Sequence, residues 1–324
     1  MFTDLTRILH LSGRKSKGDS DMDNKNSVYV KGEAAYKRSI VIQQTIRLVV
    51  CIIITVISLI PIAIIVINAT RASQDIINDG VSFIPGLKII DNFATLNDPE
   101  AAGGSLVKSF NLWYGYGNSL LMAGCCTILA VFFSGATAYG LTVYDFKGKG
   151  IATTFILAVM MIPTQVVSTG FLQFMVQIKL YDNYLPIILP SIASPAVVFF
   201  MLQYMRSSFP LEIVEAARID GSGEFRTFIQ IALPMLKPAF AVQAIFAFVS
   251  SWNNYYTPSM LLLSNKLEQR TMPMMIQAIL QNDKFSDFGA KYMAITLSVL
   301  PVVIVYLLLS KFIVKGVALG AVKG

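Results

Sequence analysis

The sequence predicts an all-α membrane protein with six transmembrane helices. Two observations lead there. Hydrophobic residues make up 55% of the 324-residue chain and charged residues only 14%, against about 25% charged in soluble domains. The apolar residues also fall in charge-free runs, at about 48–70, 109–144, 150–178, 183–205, 238–265 and 292–310. Each run is near or above the roughly 20 residues that span a bilayer. No alternating strand pattern competes, and a segment in lipid must satisfy its own backbone, as a helix does.

Residues 1–47 are polar and basic with no cleavable leader, so the first run is expected to act as both targeting signal and anchor. Within this tail, FTDLTRIL (2–9) places Phe2, Leu5, Ile8 and Leu9 together. With Arg14, Lys15 and Lys17 it reads either as a short amphipathic helix on a lipid surface or as an unstructured tail. The second run opens with the small and aromatic NLWYGYGNS (111–119), which puts the helix start near Tyr116. The third contains Pro163, followed by Thr164 and Gln165, as a candidate pathway kink. Pro61, Pro190, Pro195 and Pro301 read as ordinary shaping of membrane helices. The fifth run ends in WNNYYTP (252–258), an interfacial exit. Between the last two runs, TMPMMIQAILQN (271–282) is apolar at helical spacing but too short to span. It predicts an interfacial or re-entrant helix.

Orientation follows lysine and arginine. Of the 26 basic residues, 18 lie in 1–47, 145–149, 206–237 and 311–324, and eight in 71–108, 179–182 and 266–291. Both termini are therefore expected in the cytoplasm, with 71–115 and 266–291 outside. The domains read as a cytoplasmic tail 1–47, a membrane domain 48–310 and a cytoplasmic tail 311–324.

Several functional classes drop away. The net charge of +7 fits loops facing anionic lipid, with no nucleic-acid motif. Cys51, Cys125 and Cys126 lie in apolar runs with no CxxC pair, so neither a metal site nor a disulfide framework is indicated. The single histidine, His10, lacks ligand partners nearby. An enzyme would need a catalytic constellation that the chain does not offer. The spans hold no Asp, Glu, Lys, Arg or His. An ion-coupled secondary transporter, the alternative reading, would need such a coupling site and often shows an internal repeat.

The loop 206–237 is the charged exception. Pro210 sits where a helix can begin, and LEIVEAARID groups Leu211, Ile213, Val214 and Ala217 on a broad apolar face. Gly221 offers a left-handed C-cap, and a second short helix is expected over about 224–232. The result is a helix–turn–helix knob. Ala216 and Ala217 keep its surface low, while Glu215, Arg218 and Asp220 offer charges for pairing.

Glu215, Ala216, Ala217, Gly221, Ile231, Leu233 and Pro234 match E-A-A-x3-G-x9-I-x-L-P. Seven fixed positions coincide by chance on the order of once in 10⁸ starts. The pattern resembles the signature of inner-membrane subunits of ATP-binding-cassette (ABC) importers. MIPTQVV (161–167), FPLEIVEAARIDG (209–221), LPMLKPA (233–239), SWNNYYTP (251–258) and GVALGAVKG (316–324) look like the carbohydrate-uptake branch, the maltose-type second permease. The resemblance covers about 115–324, and the first forty residues look unlike the family.

The resemblance implies a type I importer permease (MetI-like) bundle with a cytoplasmic coupling helix. It implies a heterodimer with a second permease, two ABC ATPase subunits that use ATP and Mg, and an extracytoplasmic solute-binding protein facing 266–291. It also implies a bacterial or archaeal cytoplasmic membrane, and a C-terminal tail reaching toward the ATPases. The chain itself lacks the G-x4-G-K-[ST] phosphate loop, so no cofactor is expected on it. ATPase coupling falls to Glu215, Ala216, Ala217, Arg218, Asp220 and Gly221. Gln165, Ser168, Asn253, Asn254 and Tyr255, with Thr169, Gln173 and Gln243, read either as a sugar pathway or as interhelical hydrogen bonds and an aromatic belt.

Overall fold

The computed structural model describes residues 36, 39–97, 110–282 and 286–321, without the side chains of 164, 165 and 312–321. The expectations for 2–9 and for the basic cluster at 14–17 fall outside these residues. The chain divides into two compact units, Met1–Ala63 and Ile64–Gly324. The described residues are mostly helical, with no strand among them. Four helices are long and apolar enough to cross a membrane: α1 (Ser39–Asn68), Leu112–Val143, Leu185–Ser208 and Phe288–Lys311. The bent pair Glu224–Met235 and Lys237–Trp252 makes a fifth if counted as one span.

The differences from the expected six spans have local causes. Among the described residues, helix α1 already runs within the expected tail from Ser39. The described residues of 71–115 include two short helices, α2 (Ser73–Asp79) and α3 (Ile89–Asn97). The next helix, α4 (Leu112–Val143), starts before Tyr116 because the Asn111 side chain accepts from the Tyr114 amide at 3.0 Å and caps it. The third expected span is two helices, α5 (Lys149–Met160) and α6 (Thr164–Gln177). Pro163 has no amide to donate and biases Ile162 away from helix. The fourth is a short helix α7 (Leu185–Ile188), a 3₁₀ turn over Leu189–Ile192, and α8 (Pro195–Ser208).

After α8 come α9 (Glu212–Ile219), α10 (Glu224–Thr227), a π-turn over Phe228–Ala232 and α11 (Leu233–Met235). The helical path therefore continues past the expected end at 232. The π-turn loosens the hydrogen-bond ladder just where Pro234 lacks a donor. The fifth span is α12 (Lys237–Trp252), a break, and α13 (Tyr256–Leu261). Asn254 Oδ1 accepts from the Thr257 amide at 3.1 Å, so its side chain competes with a continuous ladder. Two more helices follow, α14 (Met272–Leu280) and α15 (Phe288–Ala321). The segment expected as a cytoplasmic tail after 310 is helical to Ala321. Its Val, Ala and Leu residues carry no proline stop.

Helix α4 is the spine of the second unit. Gly115, Ser119, Ala123, Ala130, Ser134 and Ala138 are among its buried residues. Small side chains let neighbouring helices approach closely. One end of α4 enters a core with Phe248, Trp252, Met272, Met275 and Met293. The other enters a core with Met201, Met205, Val214, Phe228 and Leu236. The expected interfacial helix α14 is buried in the first core, with Met272, Met275 and Ile279 at 0% exposure. Its Met272 amide donates to Ser119 Oγ at 2.7 Å, which draws it onto α4.

Beyond the last turn of α1 a buried polar knot folds 64–97. Asn68 Nδ2 donates to Ile64 O and Ser82 O, and its Oδ1 accepts from Arg71 Nη1 at 3.0 Å. Asn92 Nδ2 donates to Ala69 O and Arg71 O at 2.8 and 2.9 Å. Gly289 of α15 lies against this knot. A Cβ there would meet Arg71 O and both terminal atoms of Asn92 at 2.7 Å. Gly289→Ala is expected to cost about 1–3 kcal/mol by overpacking, read as a lower unfolding temperature in detergent. Gly117→Ala, where a Cβ meets nothing within 4 Å, is the control.

Candidate functional site

The knob at 206–237 is built largely from local interactions. Val214 and Ala217 of α9 are buried, Val214 in the core beside α4 and α8. Leu211 and Ile213, expected on the same apolar face, stay exposed. Ala217 therefore faces inward, as its expected place on the apolar face with Val214 requires, and Ala216 alone is left to keep the outer surface low. The cause is helical geometry: Ala217 lies three residues from Val214 and shares its side.

Gly221 ends the helix at φ +77°. The Gly221 amide donates to Arg218 O at 3.0 Å and the Ser222 amide to Ala217 O at 2.9 Å. This is a Schellman turn, which favours glycine at this position. No atom lies within 4 Å of a Cβ built on Gly221, so the demand is conformational rather than steric. Thr227 Oγ1 then ties α10 to the turn by donating to Ser222 Oγ at 2.9 Å and Gly223 O at 3.1 Å.

Three side chains clamp the knob to the end of α4. Arg218 Nε and Nη2 donate to Glu224 Oε1 and Oε2 at 2.7 and 3.2 Å. The Tyr144 hydroxyl donates to Glu224 Oε2 at 2.7 Å. The Arg218 guanidinium also lies 5.7 Å from the centre of the Tyr144 ring, a cation–π arrangement. The Tyr144 carbonyl accepts from Lys149 Nζ at 2.9 Å, which holds the chain where α4 ends. An aromatic group backs the clamp, with Tyr139 packed on Tyr144, Phe209 and Phe228 at centroid distances of 6.2, 6.3 and 5.2 Å.

The charges respond to one another. Arg218, and then Tyr144, hold the Glu224 carboxyl below its usual range. Glu224 raises the Arg218 pKa. Burial first, and then the bond to Glu224, push the Tyr144 phenol up to about 12. Arg218 is thus engaged within the chain rather than held out for a partner. Glu215 and Asp220 have no side-chain hydrogen bond or ion pair among the described residues. They share the outer surface with Ile219 and Phe225, which are 86% and 72% exposed.

A cavity of about 920 Å³ lies beside the middle of α4. Three helix breaks border it, through Ile162, through Ala193 and Ser194, and through Asn254. Of the expected pathway residues, Ser168, Gln243 and Asn254 line it. The Ser168 hydroxyl lies 3.0 Å from that of Tyr256. Ser191, Ser250, Ser251 and Thr257 add hydroxyls that the sequence reading missed. Asn253, Tyr255, Thr169 and Gln173 do not line the cavity and are exposed. The turn after Trp252 sends Asn254 inward and its two neighbours outward. The Gln165 side chain lies outside the described residues.

Residues 130–319 match the family described as "Binding-protein-dependent transport system inner membrane component". The chain belongs to this family. It is 35% identical over 272 residues to the arabinooligosaccharides transport system permease protein AraQ of Bacillus subtilis, covering 82% of this chain and 91% of that protein. It is 27% identical to the lactose transport system permease protein LacG of Rhizobium radiobacter, at 82% and 91% coverage. Among solved structures it is similar to a chain of a bacterial ABC transporter involved in the import of the acidic polysaccharide alginate. The TM-score is 0.67 at 21% identity, over 83% of this chain and 96% of that one, which shows a shared fold.

The chain is thus an inner-membrane transport component, and its family gives no support to the ion-coupled carrier. The matched range contains the α9–α10 knob and nearly all of the cavity wall. The clamp of this inner-membrane component has a pH signature. Tyr144 titrates above its unfolded value, so its contribution is complete below about pH 10 and lost as pH rises through about 12. Glu224 has the opposite sign. Its contribution is complete above its unfolded pKa and lost as pH falls through its lowered one. Difference spectra against Tyr144→Phe should show one phenolate forming near pH 12. Glu224→Gln should move that titration downward.

Proposed function

We propose that this chain is a permease subunit of an ATP-driven ABC importer that moves a sugar or oligosaccharide into the cytoplasm by alternating access. The observation that carries this reading is the clamp joining the α9–α10 knob to the end of α4, whose middle borders the cavity. A push on the knob is delivered to the helix beside the substrate space. The knob is the coupling helix, and Glu215, Ala216, Asp220 and Ile219 meet an ATPase subunit. Ala217, Arg218 and Gly221 hold its shape.

ATP and Mg are used by two separate ATPase subunits, a second permease completes a heterodimer, and a solute-binding protein delivers substrate from outside. The tail 1–47, the membrane domain 48–310 and the segment 311–324 keep their expected roles. Both termini face the cytoplasm of a bacterial or archaeal cell. The sugar reading draws support from the sugars for which AraQ and LacG are named. The cavity supports it too: hydroxyls and amides line it beside Phe171 and Phe246, and none of its lining residues is charged. Ser168, Gln243 and Asn254 are its polar contacts, with Gln165 retained from the sequence reading.

A tagged chain purified from detergent-solubilised membranes should bring down an ATPase and a second permease. Glu215→Lys should lose the ATPase and keep the permease. Absence of any ATPase from both samples overturns the reading. Gly221→Asp should insert normally and lower transport by about tenfold, since a non-glycine residue in the left-handed region costs roughly 1–2 kcal/mol. Unchanged transport would show that the turn is not a coupling element.

A further inference from the structure

A second cavity lies in the elbow below the knob, and the transport reading leaves it unused. The helices Glu224–Met235 and Lys237–Trp252 meet at 80°. Beside this bend is an apolar groove of about 480 Å³. Its walls include Ile128 and Phe132 of α4, Leu233 of α11, Phe240 and Ala244 of α12 and Leu309 of α15. Thr127 also lines it, but its hydroxyl donates to Ala123 O at 2.6 Å. One lining residue is charged: Lys237, the first residue of α12. Its side chain is exposed and has no hydrogen bond or ion pair among the described residues.

An apolar trough with one uncommitted ammonium is matched by an amphiphile carrying a negative head. We propose that this groove binds an anionic phospholipid, with an acyl chain against Phe132, Phe240 and Leu309 and the phosphate on Lys237. The wall comes from helices of an inner-membrane component, so lipid is the solvent available to it. The volume accommodates a hydrocarbon chain but not a helix, which is about 10 Å across. A sugar would find too few polar partners there. A lysine at the elbow, where the path turns from the knob into a membrane helix, suits the headgroup zone. Basic pockets between membrane helices on the cytoplasmic side recognise anionic heads in this way. A bound lipid would brace α4, α12 and α15 at the bend next to the clamp.

The test uses the full chain, with whatever subunits purify with it, in liposomes containing a photoactivatable phosphatidylglycerol or its phosphatidylcholine analogue, each with the reactive group on an acyl chain. Labelled peptides are mapped by mass spectrometry. Labelling of 128–132 and 237–244 should be about fivefold stronger with phosphatidylglycerol. Lys237→Gln should reduce it to the phosphatidylcholine level, and Lys237→Arg should preserve it. The lipid-exposed surface of α1 should label equally with both probes. Equal labelling of the groove in the natural chain, or labelling unchanged in Lys237→Gln, overturns the proposal in favour of unselective lipid. An unlabelled groove beside a labelled α1 overturns it in favour of a protein cover. No transport is measured, so these outcomes are independent of the importer reading.

Discussion

The hydrocarbon interior of a membrane offers no partner for a backbone amide or carbonyl. That constraint organises the second unit. Helix α4 meets it fully, with 32 residues in one unbroken helix. Three interruptions, beside Pro163, at Ser194 and after Trp252, border the same cavity, and a fourth is the 80° bend between Met235 and Lys237. Broken helices are tolerated at membrane depth where they line a cavity or are buried in protein. In the proposed transport cycle, the continuous helix and the broken ones divide two tasks, stiffness and access.

Stiffness matters because of what is fastened to each end of α4. At one end Asn118 Nδ2 donates to Glu268 O and Arg270 O, and Ser119 holds the start of α14. At the other, Tyr139 and Tyr144 hold α8 and the knob. In the proposed transport cycle, displacement of the knob has a rigid path to the cavity wall at Cys126 and Ala130 and onward to α14. This is a contiguous physical connection of the kind that can carry coupling.

Much of this was legible in the sequence where one residue suffices to decide. Charge-free runs marked the spans, and Pro163 marked a break. Gly221 marked a left-handed turn because other residues resist that conformation. The clamp was not legible. Arg218 and Glu224 lie on either side of a sharp turn, where helical periodicity says nothing about contact, and Tyr144 is 80 residues away from Glu224. Asn253 and Tyr255 could not be separated from Asn254 by composition. Only the end of α12 at Trp252 sets which of the three points inward. Ala217 was placed by its spacing from Val214 on the apolar face and also counted with Ala216 on the outer surface, and one side chain can serve only the first.

The Schellman turn at Gly221 carries a consequence for assembly kinetics. Its hydrogen bonds, those of Thr227 and the ion pair with Glu224 all lie within 217–227. The outward surface of the knob is thus shaped before any partner arrives. Association need not include an ordering step for this segment, so little conformational entropy is lost at the moment of contact. Such a surface meets its partner as a rigid body. In the proposed assembly, a partner subunit can then leave and return without the knob unfolding between encounters.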